Sequence, residues 1–161
     1  MGLFSFIKDA GAKVFGIGKT TAEEAADAAE ATRLESAAKA AGLVDAVDSL
    51  GFEVVDLDIE VDGDTALVYG EAADQATREK VVLVVGNTAG IASVDDRMTT
   101  AIESPQAQFH AVVSGDTLGK IAKKYYGDAM KYPVIFEANK PMLSHPDKIY
   151  VGQVLRIPAL D

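Results

Sequence analysis

The stretch VVLVVGNTAGIASVDD, residues 81–96, contains an apolar run that stops abruptly at a glycine. Five apolar residues precede Gly86, a short polar turn follows, and Gly90 lies four positions further on. Beyond the turn, Ile91 and Val94 belong to an apolar pattern of shorter period. We therefore predict a helix that ends at Gly86, a sharp turn, and a strand over residues 91–100.

The end of this predicted helix has a chemical consequence. The last four carbonyls of a helix lack partners within it, and the helix dipole places negative potential there. Two glycines would let several of these carbonyls converge, and Gly11 could do the same in the segment FIKDAG, residues 6–11. Taken alone, however, residues 86–91 fit an ordinary helix-to-strand turn better than a cation site.

The elements before this stretch follow from periodicity and turn chemistry. The alternation of Val55, Leu57, Ile59 and Val61 with acidic residues predicts a half-buried strand. A turn at residues 62–63 then leads to a returning strand over 66–70. We further predict a helix over residues 75–85, capped by Asp74. An Ala- and Glu-rich helix is firmest over residues 30–41, with Gly42 as its stop.

The N-terminal segment has apolar residues at helical spacing. The residues that form this stripe are Leu3, Phe4, Ile7, Val14 and Phe15. We predict an amphipathic helix over residues 1–22 that docks on the rest of the chain. Charged residues interrupt the segment, so it does not match a secretory signal, and we expect a cytoplasmic location.

Charge divides the chain of 161 residues into two parts. Residues 20–104 carry 5 basic and 19 acidic side chains, whereas residues 105–161 carry 7 and 5. Pro105 lies in the polar stretch between them, which predicts a linker. A net charge of −10 disfavours nucleic acid and anionic membranes as partners. The absence of cysteine excludes disulfides and thiolate metal sites. We expect a monomer that does not insert into membranes.

The C-terminal part carries the sharper motif. FHAVVSGDTL, residues 109–118, IFEAN, residues 135–139, and GQVLRIP, residues 152–158, resemble the LysM domain. The resemblance implies a β-α-α-β fold over residues 105–161. It also implies a groove for glycans that contain N-acetylglucosamine, between two loops. The glycan-binding residues implied in this chain are Gly115, Asp116, Thr117, Leu118, Asn139, Lys140, Pro141 and Met142.

The preceding part has the order helix, strand, strand, helix, strand. With the hairpin and the signature Gly90-Ile91-x-x-Val94, this order resembles the BON domain over about residues 28–103. The predicted fold class is therefore α+β, with a BON domain over 23–104 and a LysM domain over 105–161. The amphipathic helix precedes both.

The residues that could carry catalysis do not form a recognisable motif. His110 and His145 are the two histidines, they have no paired spacing, and we expect them at the surface or in turns. The acidic string that begins at Asp58 imitates a calcium loop, but its twelfth position is Tyr69, not glutamate. We therefore expect a binding protein, not an enzyme.

A BON domain followed by a LysM domain, in a chain that opens MGLFSFIKDAG, resembles the bacterial cytoplasmic potassium-binding proteins. The resemblance implies that K+ is the ligand, that main-chain oxygens hold it, and that it orders the BON domain of a sensor or buffer. The implied ligands are Ile7, Lys8, Ala10, Gly86, Thr88 and Ile91. Two alternatives stay open: glycan or protein binding through LysM, and contact of the BON domain with phospholipid.

Overall fold

The structure is a computed structural model that describes residues 2–6 and 28–160 of the chain. Its helices and strands form two units, which confirms the predicted α+β class. The first unit consists of β1 (Gly2–Ser5), α1 (Ala28–Ser49), β2 (Val54–Asp62), β3 (Thr65–Ala72), α2 (Gln75–Gly86), β4 (Ser93–Asp96) and β5 (Thr99–Thr100). The second unit consists of β6 (Gln108–Ala111), α3 (Leu118–Tyr126), a 3-10 turn (Ala129–Lys131), α4 (Tyr132–Ala138) and β7 (Val154–Ile157).

The first unit is a sheet with two helices packed on one face. The strand order is β1-β4-β3-β2, and β5 pairs with β3 beyond β4. Strands β3 and β4 are parallel, while β2 and β1 are antiparallel to their neighbours. The apolar residues between the sheet and the helices are almost inaccessible to water. They include Leu43 and Val47 of α1, Ile59, Val68 and Val94 of the strands, and Val81, Val82 and Val85 of α2.

The start of the chain corrects a sequence-based prediction. Residues 2–5, expected at the beginning of an amphipathic helix, instead form the edge strand β1. Leu3 lies opposite Asp95 and Phe4 opposite Val94, so Phe4 faces the core and Leu3 is 72% exposed. The prediction failed because pairing with β4 satisfies the backbone of these residues, whereas helical spacing is only a local signal. The rest of the predicted helix lies outside the described residues.

Three element boundaries also differ from prediction. Helix α1 runs through Gly42 to Ser49, because Leu43 and Val47 beyond the glycine are fully buried. That burial outweighs the roughly 1 kcal/mol cost of a glycine within a helix. The strand expected over residues 91–100 is divided into β4 and β5. The turn of the hairpin occupies Gly63 and Asp64, and a bulge in β2 leaves Val55 62% exposed.

The second unit packs its two helices against the two-stranded sheet of β6 and β7. Thr117 accepts a hydrogen bond from the Lys120 amide and caps α3, and Gly127 ends that helix in the left-handed conformation. Leu118, Ile121, Ile135 and Leu155 belong to a separate buried cluster. The order β6, α3, α4, β7 agrees with the expected β-α-α-β arrangement.

The two units are in direct contact. Phe109 and Met142 of the second unit pack against the core of the first, and the rings of Phe4 and Phe109 lie 5.2 Å apart. Arg156 of β7 forms an ion pair with Glu79 of α2, and both side chains are mostly buried. Within the described ranges, no helix is both long and apolar enough to cross a membrane.

Candidate functional site

The loop over residues 86–91, referred to below as the 86–91 loop, joins α2 to β4. Asp74 begins α2 by accepting a hydrogen bond of 2.7 Å from the Thr77 amide, as predicted. At the other end, the Asn87 amide donates to the Leu83 carbonyl at 2.9 Å. The Thr88 hydroxyl donates to the Val84 carbonyl at 2.8 Å. The side chain of Thr88 therefore closes the last helical turn and holds the loop against it.

The predicted ligand carbonyls lie beyond these closed turns. The Thr88 carbonyl accepts one long hydrogen bond, of 3.3 Å, from the Ile91 amide. Among the described residues, no backbone amide donates to the carbonyl of Gly86 or Ile91. Thr88 and Ile91 are 2% and 1% exposed. The loop thus presents backbone oxygens with unused acceptor capacity in a protected position, where each unpaired carbonyl is costly.

The N-terminal segment reaches this loop. The Phe6 amide donates to the Ala92 carbonyl at 2.7 Å, directly after the loop. The Phe6 ring fills the space beside Gly86, where an added Cβ would lie 2.0 Å from its Cζ atom. A side chain at position 86 would exclude this contact. The remaining predicted ligands, Ile7, Lys8 and Ala10, lie outside the described residues.

The second unit also contacts the loop. The side chain of Asn87 makes two hydrogen bonds to the backbone of Val154: Nδ2 donates to the carbonyl at 3.0 Å, and Oδ1 accepts from the backbone N–H at 2.9 Å. Asn87 is 6% exposed. The sequence reasoning missed this residue, because an asparagine after a helix is also an ordinary C-terminal cap. No local signal indicates a partner 67 residues away.

The chemistry of the loop is that of neutral oxygen donors. Over residues 2–6 and 28–160, no group of three or more acidic, histidine or cysteine residues is arranged to hold a metal ion. Calcium and magnesium sites use carboxylates, whereas rings of backbone carbonyls replace the water shell of large monovalent cations. The residues present therefore fit a weakly hydrated monovalent ion.

The predicted glycan-binding residues fall into two groups, apart from the half-buried Asp116. Gly115, Thr117, Lys140 and Pro141 are exposed. Leu118 and Asn139 are buried. The side chain of Asn139 bonds to the backbone of Ile135 and Arg156, and Met142 packs on the first unit. These contacts give the three residues structural roles. The side chain of Asn139 bridges α4 to β7, Leu118 fills the core of the second unit, and Met142 packs on the core of the first.

His110, which we expected at the surface or in a turn, is instead buried, at 8% exposure. Its Nε2 lies 2.8 Å from Oδ2 of Asp116, and its Nδ1 lies 3.0 Å from the Tyr125 hydroxyl. The hydrogen bond from His110, assisted by the Val113 amide, holds the pKa of the Asp116 carboxyl below its ordinary value. Asp116 therefore stabilises the loop before α3 through its hydrogen bonds with His110 and the Val113 amide.

Comparison with known proteins identifies the family. The family model described as LysM domain matches residues 110–158. The potassium binding protein Kbp of Escherichia coli O6:H1 (strain CFT073) is 45% identical over 158 residues, which cover 98% of this chain and 99% of the relative. The chain belongs to the Kbp family. The resemblance predicted from the opening MGLFSFIKDAG and the LysM motifs is thereby confirmed.

Two further relatives of this Kbp family member match over shorter lengths. An uncharacterized protein of Deinococcus radiodurans is 51% identical over 49 residues, which are 30% of this chain and 19% of that protein. An endolysin of Bacillus phage B103 is 29% identical over 90 residues, 56% of this chain and 31% of its own. Such partial matches carry no conclusion about the whole chain, and the assignment of residues 23–104 to the BON domain stays a prediction.

Proposed function

We propose that this chain binds K+ through backbone carbonyls and acts as a sensor or buffer of the ion in the cytoplasm. The observation that carries the proposal is the buried 86–91 loop, whose Gly86 and Ile91 carbonyls accept no backbone amide of the described residues. The relative that matches this chain over its whole length is named a potassium binding protein, which agrees with a set of neutral backbone oxygens as ligands. Binding, not catalysis, is the proposed activity.

The remaining ligands would come from the N-terminal segment. In this proposal, carbonyls of Ile7, Lys8 and Ala10 complete the set formed by Gly86, Thr88 and Ile91. Support comes from Phe6, which directly precedes Ile7: its ring packs beside Gly86, and its backbone amide donates to the Ala92 carbonyl just after the loop. The ion then stabilises the state in which the N-terminal segment lies against the end of α2, because it binds that state more tightly.

Calorimetric titration of ion-free protein with KCl in sodium-free buffer tests the proposal. We expect saturable binding of K+, weaker binding of Na+, and little response to Ca2+ or Mg2+, because neutral carbonyls compensate poorly for the strong hydration of divalent ions. A thermal melt in each salt provides a second measurement, since a ligand of the folded state raises the melting temperature. No binding, or an equal response to Na+ and K+, would overturn the proposal.

Glycan binding through the second unit is a second candidate, favoured by the LysM match over residues 110–158. The exposed residues Gly115, Thr117 and Lys140 would contact the sugar. Co-sedimentation with insoluble chitin and with peptidoglycan tests it, with a Thr117→Ala variant as the comparison. Because Asn139 and Met142 are engaged within the protein, we expect weak retention.

A further inference from the structure

We propose that Asn87 is a positioning residue, through which strand β7 of the LysM domain sets the directions of the carbonyls in the 86–91 loop. The inference rests on the proposed function, because it assigns a role in ion binding to a residue that supplies no predicted ligand. Asn87 lies between Gly86 and Thr88, two of the predicted ligands. Any rotation of its backbone changes the angle between the peptide planes on either side.

The backbone of Asn87 is fixed to the first unit. Its N–H belongs to the same peptide plane as the Gly86 carbonyl, and it donates to the Leu83 carbonyl at 2.9 Å. That hydrogen bond directs the plane along the helix axis, and the Thr88 N–H, in the plane on the other side of Asn87, donates to the Val85 carbonyl at a longer 3.2 Å. The next residue, Thr88, is tied to α2 by its hydroxyl. The backbone bonds of this turn all lead to the first unit, and the side chain of Asn87 links the turn to the second unit.

The side chain of Asn87 is fixed to the second unit at both of its polar ends. Two hydrogen bonds to one residue, of 3.0 and 2.9 Å, imitate the pairing of a strand with the edge of β7. The amide and carbonyl of Val154 need such a partner because they are buried. Asparagine alone among residues of this size offers a donor and an acceptor in one plane. The contact is consequently directional, unlike the apolar packing around it.

If Asn87 only held the two units together, its loss would affect ion binding differently. If docking of the two units favours the state that binds the ion, loss of any docking contact lowers the ion affinity. The fall in affinity is then proportional to the fall in docking. Loss of a positioning contact additionally loosens the carbonyls, which lets them close on a smaller ion and weakens discrimination between K+ and Na+. The ratio of the two affinities thus separates positioning from docking.

The test compares Asn87→Ala with Phe109→Ala, a variant of the same interface that leaves the loop unchanged. The chain has no cysteine, so one cysteine introduced in each unit permits labelling with a donor and an acceptor dye to follow docking. Calorimetry gives the K+ and Na+ affinities of each variant. We expect Asn87→Ala to lose about tenfold or more in K+ affinity and to lose much of its preference for K+. Phe109→Ala should weaken docking but keep the wild-type ratio.

Each result decides the matter. Wild-type affinity and ratio in Asn87→Ala would overturn the inference, as would a ratio that falls equally in Phe109→Ala. Should Asn87→Ala not fold, Asn87→Asp keeps Oδ1 as the acceptor for the Val154 amide and loses the donor, and its K+ to Na+ ratio is read in the same way. Failure of the wild-type protein to bind K+ would overturn the proposed function instead, so the two failures are distinguishable.

Discussion

At the scale of single residues, Gly86 is constrained by space and not by backbone conformation. It is the last residue of α2, and the Phe6 ring occupies the volume that a side chain would need. We expect Gly86→Ala to lower the free energy of unfolding by about 1–3 kcal/mol, as overpacking does. It should also abolish the response to KCl, because β1 is displaced. Urea denaturation with and without KCl measures both effects.

Gly119→Ala is the matched control for that substitution. Gly119 lies in α3, and an added Cβ would come no closer than 3.8 Å to a neighbouring atom. Alanine in a helix is more favourable than glycine by about 0.5–1 kcal/mol, so we expect a small gain in stability. Equal stability of the Gly86→Ala and wild-type proteins would contradict the close contact with Phe6.

Asp116 predicts how stability responds to acid at a single residue. Hydrogen bonds from His110 and the Val113 amide lower the pKa of its carboxyl in the folded state. A lowered folded pKa contributes stability above the unfolded pKa of about 4, and this contribution is lost as the pH falls through the folded pKa. We expect Asp116→Asn to be less stable at neutral pH and to lose less stability on acidification. Urea midpoints measured between neutral and acidic pH test this.

The control for this pH series is Asp147→Asn, because the side chain of Asp147 is 90% exposed. We expect its midpoints to follow those of the wild-type protein throughout. If Asp116→Asn shows the same acid dependence as the wild-type protein, the pairing of Asp116 with His110 does not stabilise the fold.

At the scale of elements, α2 and β7 are joined by an ion pair as well as by Asn87. Glu79 accepts hydrogen bonds from the Gln75 side chain, the Ala107 amide and Arg156. Because Glu79 is 4% exposed, Arg156→Met leaves an uncompensated buried charge, and we expect a loss of about 3–5 kcal/mol in the free energy of unfolding. Chemical denaturation measures it.

A double variant separates the charge from the packing at this contact. Replacing Glu79 as well, as Glu79→Met with Arg156→Met, removes the isolated charge and substitutes apolar contact. We expect the double variant to be more stable than Arg156→Met alone. Additive losses in the two single variants would show that the charges do not interact strongly.

The elements also show where local reasoning succeeds and fails. The predicted bounds of α2 agree with the structure within one residue, because its cap at Asp74 and its stop at Gly86 are both signals at the ends of the segment itself. The first residues of the chain were predicted as helix and form a strand, because their partner β4 is about ninety residues away. Pairing at that separation leaves no local periodic signal.

At the scale of the whole molecule, the contact between the units predicts cooperative unfolding. Phe109 of β6 packs on Phe4 and on the core of the first unit. We expect the wild-type protein to unfold in a single calorimetric transition, and Phe109→Ala to separate it into two, because truncating this partly buried aromatic removes part of the roughly 3–5 kcal/mol that a fully buried one contributes. A single transition with an unchanged midpoint in Phe109→Ala would contradict strong coupling.

The sequence by itself determined the kinds of the main elements after the N-terminal segment, the division into an acidic and a mildly basic part, and the LysM motif, since caps, glycines and periodicity act over a few residues. The resemblance to the potassium-binding proteins implied Gly86, Thr88 and Ile91 as ligands, whereas that stretch alone favoured an ordinary turn. Only the tertiary structure decided that Phe6 covers Gly86 and that Asn87 pairs with Val154. Both contacts join residues far apart in the chain: the first lies within the core of the first unit, and the second joins the two units, so neither leaves a local signal.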